Sequence, residues 1–261
     1  MRFFRIFAAV LLGAAPVVRA GAQENYEIQV YPSETAAKGN TFFELHSNFT
    51  AMGSRLNIGS LLPTNNALHE TLEITHGFTD NFEVGFYLFT SVNPGEGWQF
   101  VGSHIRPRVR VPESWKWPVG VSLSTEFGPA DKKFDSNELG IELRPIVDQT
   151  IGKLYWSLNP AVGWSFKGPE AGKGINGMFF NPNVKLGWQF SKLVQAGVEY
   201  YGTTGTLTRM ASTADQSHVL YPSIDLDLGA EWEFNAGYGF LVSGSGDQHI
   251  FKVILGRRFP W

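Results

Sequence analysis

From Thr41 onward, apolar and polar side chains alternate with a period of two in one short segment after another. Phe82, Val84, Phe86 and Leu88 fall on one face, with Glu83, Gly85 and Tyr87 on the other. Val119, Val121, Leu123 and Phe127 likewise oppose Gly120, Ser122, Ser124 and Glu126. A period of two belongs to a strand with two unlike faces and excludes an amphipathic helix. The pattern predicts twelve strands, at about 41–52, 66–76, 81–92, 98–111, 117–128, 138–148, 152–166, 178–190, 193–203, 217–228, 231–242 and 247–259. Most have the ten or so residues that cross a bilayer at a tilt, and after residue 22 no run of about 18 apolar residues offers a spanning helix. Pro107, Pro160, Pro182 and Pro222 fall inside strands and are expected at bulges or ends, because proline cannot donate to a ladder.

Two architectures accommodate such strands, and the apolar face separates them. A soluble sandwich shares its apolar face between two sheets, whereas a membrane barrel turns it to lipid and lines its lumen with the polar one. Here 14% of residues are aromatic and only 17% are charged. The aromatics recur along the strands, which suits lipid. The connections agree, because short links (77–80, 112–116, 149–151, 191–192, 229–230) alternate with longer polar ones (53–65, 93–97, 129–137, 167–177, 204–216, 243–246). Short periplasmic turns and longer outer loops are the habit of outer-membrane barrels, as is an even strand number. The expected fold is all-β, a transmembrane antiparallel up-and-down β-barrel of about 12 strands.

The ends fit an exported barrel. Arg2 and Arg5, the apolar run 6–15, Pro16 and the small residues Ala20-Gly21-Ala22 read as a signal peptide over residues 1–22, cleaved before Gln23. Residues 23–40 form a leader destined for the periplasm or the lumen, and residues 41–261 form the barrel. Gly256, Phe259 and Trp261 match the terminal pattern that such barrels present to their insertion machinery, although Ile254 stands where a polar residue is usual. Outer-membrane lipid and that machinery are the expected partners, in a Gram-negative envelope. The chain has no cysteine, which excludes disulfide and thiolate chemistry. Removing residues 1–22 takes away Arg2, Arg5 and Arg19 and no acid, leaving 18 basic against 24 acidic residues. That balance speaks against a nucleic-acid partner.

The stretch from His69 to Leu88, with His76-Gly77-Phe78-Thr79-Asp80 at its turn and Glu83 and Gly85 on the strand that follows, resembles a recurrent hairpin. It is similar to one in the outer-membrane transporters of the phenol-degradation meta-pathway family. The likeness covers about twenty residues, beyond which it is one of layout. It implies a membrane barrel that passes small solutes, hydrophobic or aromatic ones among them, and it carries over no ligand residues.

The face turned away from lipid supplies the candidate residues: Glu44, Glu73, Glu83, Arg106, Arg108, Arg110, Glu126, Glu142, Arg144 and Lys185 are expected to line the lumen and any solute path. Arg106, Arg108 and Arg110 point the same way along one strand. They form either a basic track for anionic solutes or braces for Glu83, Glu126 and Glu142, and the excess of acids favours braces. His46-Ser47 invites comparison with barrel lipid hydrolases, but neighbours on a strand point to opposite faces and cannot pair for nucleophilic catalysis. His69, His76, His104, His218 and His249 show no spacing of a metal site. Asp225, Asp227, Glu231 and Glu233 read as a solvated acidic rim rather than a calcium site. Neither a cofactor nor a metal is expected. The leading expectation is a passive channel for small solutes. The alternatives are an outer-leaflet lipid-modifying enzyme and a structural barrel with a filled lumen.

Overall fold

The computed structural model describes residues 23–260. The signal-peptide reading and Trp261 lie outside the described residues. Twelve long antiparallel strands follow one another as hydrogen-bonded neighbours: β1 (Asn40–Met52), β2 (Ala67–Thr79), β3 (Phe82–Asn93), β4 (Gly97–Arg110), β5 (Gly120–Pro129), β6 (Leu139–Ile151), β7 (Leu154–Lys167), β8 (Phe179–Gln189), β9 (Val194–Thr203), β10 (Ser217–Asp227), β11 (Trp232–Gly244) and β12 (His249–Pro260). β12 returns to pair with β1, with Thr41 opposite Phe259 and Phe49 opposite Phe251, and this closes the sheet into a barrel. Closure removes every free edge, which a bilayer without water demands of a sheet. A two-residue hairpin, Gly205–Thr206 with Arg209–Met210, decorates the loop after β9.

The two faces are those of a barrel turned outward to lipid. Phe86 is 48% exposed and its neighbour Tyr87 fully buried, and the alternation continues around the wall with exposed Leu45, Ile105, Leu143, Trp188 and Phe251. An apolar surface that encircles a folded chain is a lipid-contact belt. Trp98 and Phe100 edge it near one mouth, with Trp115 and Trp117 near the other, as aromatic girdles do.

Pro107, Pro160 and Pro222 interrupt the ladder on one side only and shift nothing. Pairing of β4 with β5 skips from Ile105–Phe127 to Arg108–Ser124, β6–β7 skips from Leu143–Val162 to Val147–Leu158, and β10–β11 skips from Leu220–Phe240 to Ser223–Gly237, each in unchanged register. Pro160 and Pro182 face each other across β7 and β8, and β8–β9 pairing begins just after Pro182, at Asn183. The missing N–H explains the gaps. Of the expected bulges or interruptions, the prolines show the interruptions, and the register shifts fall elsewhere, as at Gly77/Thr79 and Phe89/Thr90. The link of residues 111–119 is also longer than expected and holds a 3-10 turn, Glu113–Trp115, that ends on Lys116 in the left-handed region. One of the two-residue links needs its glycine: Gly152, in the turn between β6 and β7, has φ +63°.

The leader occupies the lumen. After a short helical turn, Gln23–Tyr26, it runs extended from the mouth ringed by the long loops to the mouth of the short turns. Asn25 donates to Asp247 beside the long loops, and Lys38 donates its backbone N–H to Asp80 in a short turn. Midway, Tyr31 N–H donates to Asn159 Oδ1 at 2.7 Å, while Ser157 and Asn159 donate to Tyr31 O. Side chains of the wall thus satisfy a backbone that pairs with no strand, as a buried segment requires. The barrel strands begin and end at the short-turn mouth, but residue 25 lies at the opposite one.

Candidate functional site

The inward positions converge on the leader's Tyr31. The guanidinium groups of Arg106, Arg108 and Arg144 lie 5.1, 5.6 and 5.2 Å from its ring centroid, within the reach of cation–π attraction. The Tyr31 hydroxyl donates to Glu27 and lies 3.2 Å from the Tyr87 hydroxyl. Around this ring the charges pair. Arg106 bonds Glu73 at 2.5 Å and Glu83 at 3.1 Å, and Arg108 reaches Glu83 at 2.6 Å and the carbonyl of Pro32 at 3.2 Å. Arg144 holds Glu142 at 2.6 Å and Glu27 at 3.3 Å. Lys185 pairs with Asp225 at 2.8 Å and with Glu199 at 3.4 Å, while Lys252 bonds Glu199 and the carbonyl of Ile28.

The expected inward residues Glu44, Glu73, Glu83, Arg106, Arg108, Glu126, Glu142, Arg144 and Lys185 are all buried. Their pairing differs from the expected braces in two respects. Arg110 sits at the short-turn rim and pairs with exposed Glu113 at 2.8 Å, outside the central network. Glu126 pairs with His104 at 2.6 Å and Glu142 with Arg144, so of the three expected braces only Glu83 holds arginines of β4, joined on Arg106 by Glu73. The reason is register: Glu126 stands directly opposite Glu142, and like charges in that position repel, so each turns to a different partner. Ser47 points away from buried His46 and donates to Glu70 at 2.8 Å, so the two form no nucleophile–base pair. Of the acidic rim, Glu231 is exposed near Arg257, at 3.9 Å, whereas Asp225 is drawn inward by Lys185 and Asn235.

Glu27 and Tyr31 were absent from the sequence-based set. A signal was available, because Tyr26, Ile28 and Val30 alternate with Glu27 and Gln29 as a barrel strand would, on a segment that precedes the first paired one.

Two cavities flank the leader. Toward the short turns lies a polar one of about 560 Å³, walled by Asp148, Lys185, Asp225, Glu233 and the leader's Gln29, Pro32 and Glu34. Toward the long loops lies a more enclosed one of about 140 Å³, lined by Tyr26, Ile28, Phe134, Tyr201, Tyr221 and Ile250 with His69, Asn93 and Asp135 among them. Its roof is loop on loop, with Leu62 N–H donating to Lys133 O at 2.8 Å and Asn93 donating to Pro63 O at 2.9 Å. Burial pushes the Asp135 carboxyl up to about 6, against the opposing pull of the Asn137 N–H and His104. A folded value above the ordinary one means that this carboxyl supports the roof fully at low pH and stops doing so as pH rises through about 6. Amide protection in residues 129–137, corrected for intrinsic exchange, should therefore fall across that range, and Asp135→Asn should flatten the dependence. An unchanged slope in the variant would assign it to another group.

No family model matches the chain, and neither does any curated protein sequence. Solved structures do. An outer-membrane channel from Pseudomonas putida F1 aligns with a TM-score of 0.62 at 10% identity, over 88% of this chain and all of that one. The NanC porin aligns at 0.55 and 7% identity over 84% of this chain and all of its own, and the KdgM porin in complex with disordered oligogalacturonate at 0.51 and 10%, over 84% and 99%. At such identities the likeness is one of fold, and the fold is the one these barrel channels share.

Proposed function

We propose that the protein is an outer-membrane channel for small solutes, narrowed by its own leader. One observation carries this reading: the two cavities open toward opposite mouths, and a single extended segment stands between them. Asn25, Tyr26 and Ile28 border one, and Gln29, Val30, Pro32 and Glu34 border the other. The partition is one chain thick. Its anchors are hydrogen bonds to lumen side chains, which water can replace, rather than a strand ladder. The solute class follows from the wall. The upper cavity mixes aromatic and aliphatic side chains such as Tyr26, Phe134, Tyr201 and Ile250 with polar ones such as His69, Asn93, Lys133 and Asp135, and about 150 Å³ of apolar space suffices for a benzene-sized molecule. Small aromatic or amphipathic compounds fit it better than oligosaccharides do, in keeping with the hairpin's resemblance to the meta-pathway transporters. The same leader also favours a second reading, a structural barrel whose lumen is permanently filled. Planar-bilayer conductance of the full chain and of a leader-deleted chain separates the two. Silence from both overturns the channel.

The orientation that goes with this function places the long loops outside the cell. The chain's lack of cysteine makes single-cysteine labelling clean. With an impermeant maleimide on intact cells, Lys133→Cys and Thr213→Cys should label, whereas Ser114→Cys and Ser191→Cys should label only after lysis. The reverse pattern would invert the barrel, and mixed labelling within one set would break the strand order.

A further inference from the structure

A second site lies in the wall, next to the seam where β12 closes on β1. Glu44 and His46 stand two residues apart on β1 and so face the lumen together, and Glu73 on β2 lies directly opposite Glu44. One potential ligand atom from each falls within 4.8 Å of the others, and all three residues are buried. Glu73 Oε1 is engaged by Arg106 and Thr75, but its Oε2 has no hydrogen-bond donor, and only His46 Nε2 approaches it, at 3.3 Å. His46 is fully buried, yet neither ring nitrogen makes a hydrogen bond. Among the described residues no donor or salt-bridge partner reaches Glu44 either. Buried imidazole and carboxylate atoms with unfilled hydrogen bonds are costly, and here those of His46 and Glu73 converge beside Glu44.

Charge and space both point to what would satisfy them. On the far side of Glu44 the register places Gly256 and then Glu233. A Cβ at Gly256 would fall 2.8 Å from Glu44 Cγ and 3.3 Å from Glu233 Cβ, so the missing side chain is what leaves room between the two acids. Glu44, Glu73, Glu83 and Glu233 outnumber the cations that act on them, Arg106 and Arg108 on the glutamates of β1–β3 and Lys185 on Glu233. The next inward cation, Arg258, lies 4.5 Å over the Phe42 ring and pairs with neither Glu44 nor Glu233. We propose that Glu44, His46 and Glu73 bind one divalent transition cation, with Glu233 as the carboxylate beyond them. One imidazole and two carboxylates suit Zn²⁺ and its neighbours rather than Mg²⁺ or Ca²⁺, which prefer all-oxygen shells. Tetrahedral coordination at about 2.0–2.2 Å sets ligand atoms about 3.3–3.6 Å apart. The His46–Glu73 contact already meets that spacing, and the longer gap falls to flexible Glu44. An ion here would staple β1 and β2 next to the closing seam. The site is independent of whether the barrel conducts.

The competing occupant is a proton on His46, and the experiment is built to tell the two apart. Full-length protein, stripped with chelator in detergent and dialysed against Zn²⁺, should retain one ion per chain and melt at a higher temperature than the stripped form. Glu44→Gln and His46→Gln should each weaken retention by at least the roughly 10–100-fold that losing a mere outer-shell partner costs. His76→Gln and His249→Gln should retain the ion unchanged. X-ray absorption of the Zn²⁺-loaded wild type should show one imidazole in a shell otherwise of oxygen, a readout that stands even if a variant fails to fold. Retention well below one ion, retention unaffected in Glu44→Gln and His46→Gln, or a shell with several imidazoles would each overturn the site.

Discussion

Deleting residues 25–36 should convert a barrel that opens rarely or by small steps into one with large, steady conductance. The deletion removes Tyr26, Ile28, Val30 and Tyr31, all buried in the lumen, and merges the two cavities that the leader parts. It leaves the twelve-strand ladder intact, including the β1–β12 seam, because the leader contributes no rung to it. The barrel should therefore still migrate faster unheated than heated on gels. Among the groups left behind are Arg108, Arg144, Lys252, Ser157, Asn159, Glu83 and Asp148, each of which bonds the leader, and water entering the widened lumen can replace those bonds. Tyr31→Ala is the milder form. It withdraws the ring that three guanidinium groups share and should raise the frequency of openings without reaching the conductance of the deletion. A deleted barrel that stays folded and silent would mean that the wall side chains alone fill the lumen, and the structural reading would replace the channel.

How far the site was legible in the sequence depends on which interaction is asked about. Which side of the wall a residue takes follows from a period of two, so Glu83, Arg106, Arg108 and Arg144 could be placed inward from spacing alone. Which partner each finds depends on register between strands, and the composition of a single strand does not carry that. Glu126 illustrates the point: only the pairing of β5 with β6 reveals that it faces another acid, and so why it turns to His104. Likewise Glu44, His46 and Glu73 lie on two strands, with spacings that resemble no metal motif, and meet only because Glu44 and Glu73 share a rung. The leader was the hardest to read. Its alternation of Tyr26, Ile28 and Val30 was present, but its partners are side chains from eight strands at sequence separations from 23 to 224 residues. The prolines were read for what they prevent, donation to the ladder, and the structure adds that a gap without a shift is a sufficient response.

Replacing Arg106 by Ser should be the most destabilising single change in the lumen. Arg106 is buried and is shared between Glu73 and Glu83, so its loss strands two carboxylates rather than one. Glu83 keeps Arg108 at 2.6 Å and the backbone N–H of Ala36 at 2.6 Å. Glu73 keeps only Thr75 and the approach of His46. Removing one partner of a buried ion pair costs about 3–5 kcal/mol, less where water can enter, and the polar cavity beside the leader gives water a route to part of the network. The expected result is a clear drop in the temperature at which the barrel loses its gel shift. Because Glu73 is the group left barest, Arg106→Ser with Glu73→Gln should recover most of the loss, Arg106→Ser with Glu83→Gln less, and Arg106→Ser with Glu126→Gln none, since Glu126 answers to His104. Arg110→Ser is the matched control on the same face of β4. Its partner Glu113 is 84% exposed, and an exposed pair contributes about 0–1 kcal/mol. Equal losses from Arg106→Ser and Arg110→Ser, or rescue by Glu126→Gln, would show that the arginines of β4 act as one undivided track, and the pairing described for the lumen would be wrong.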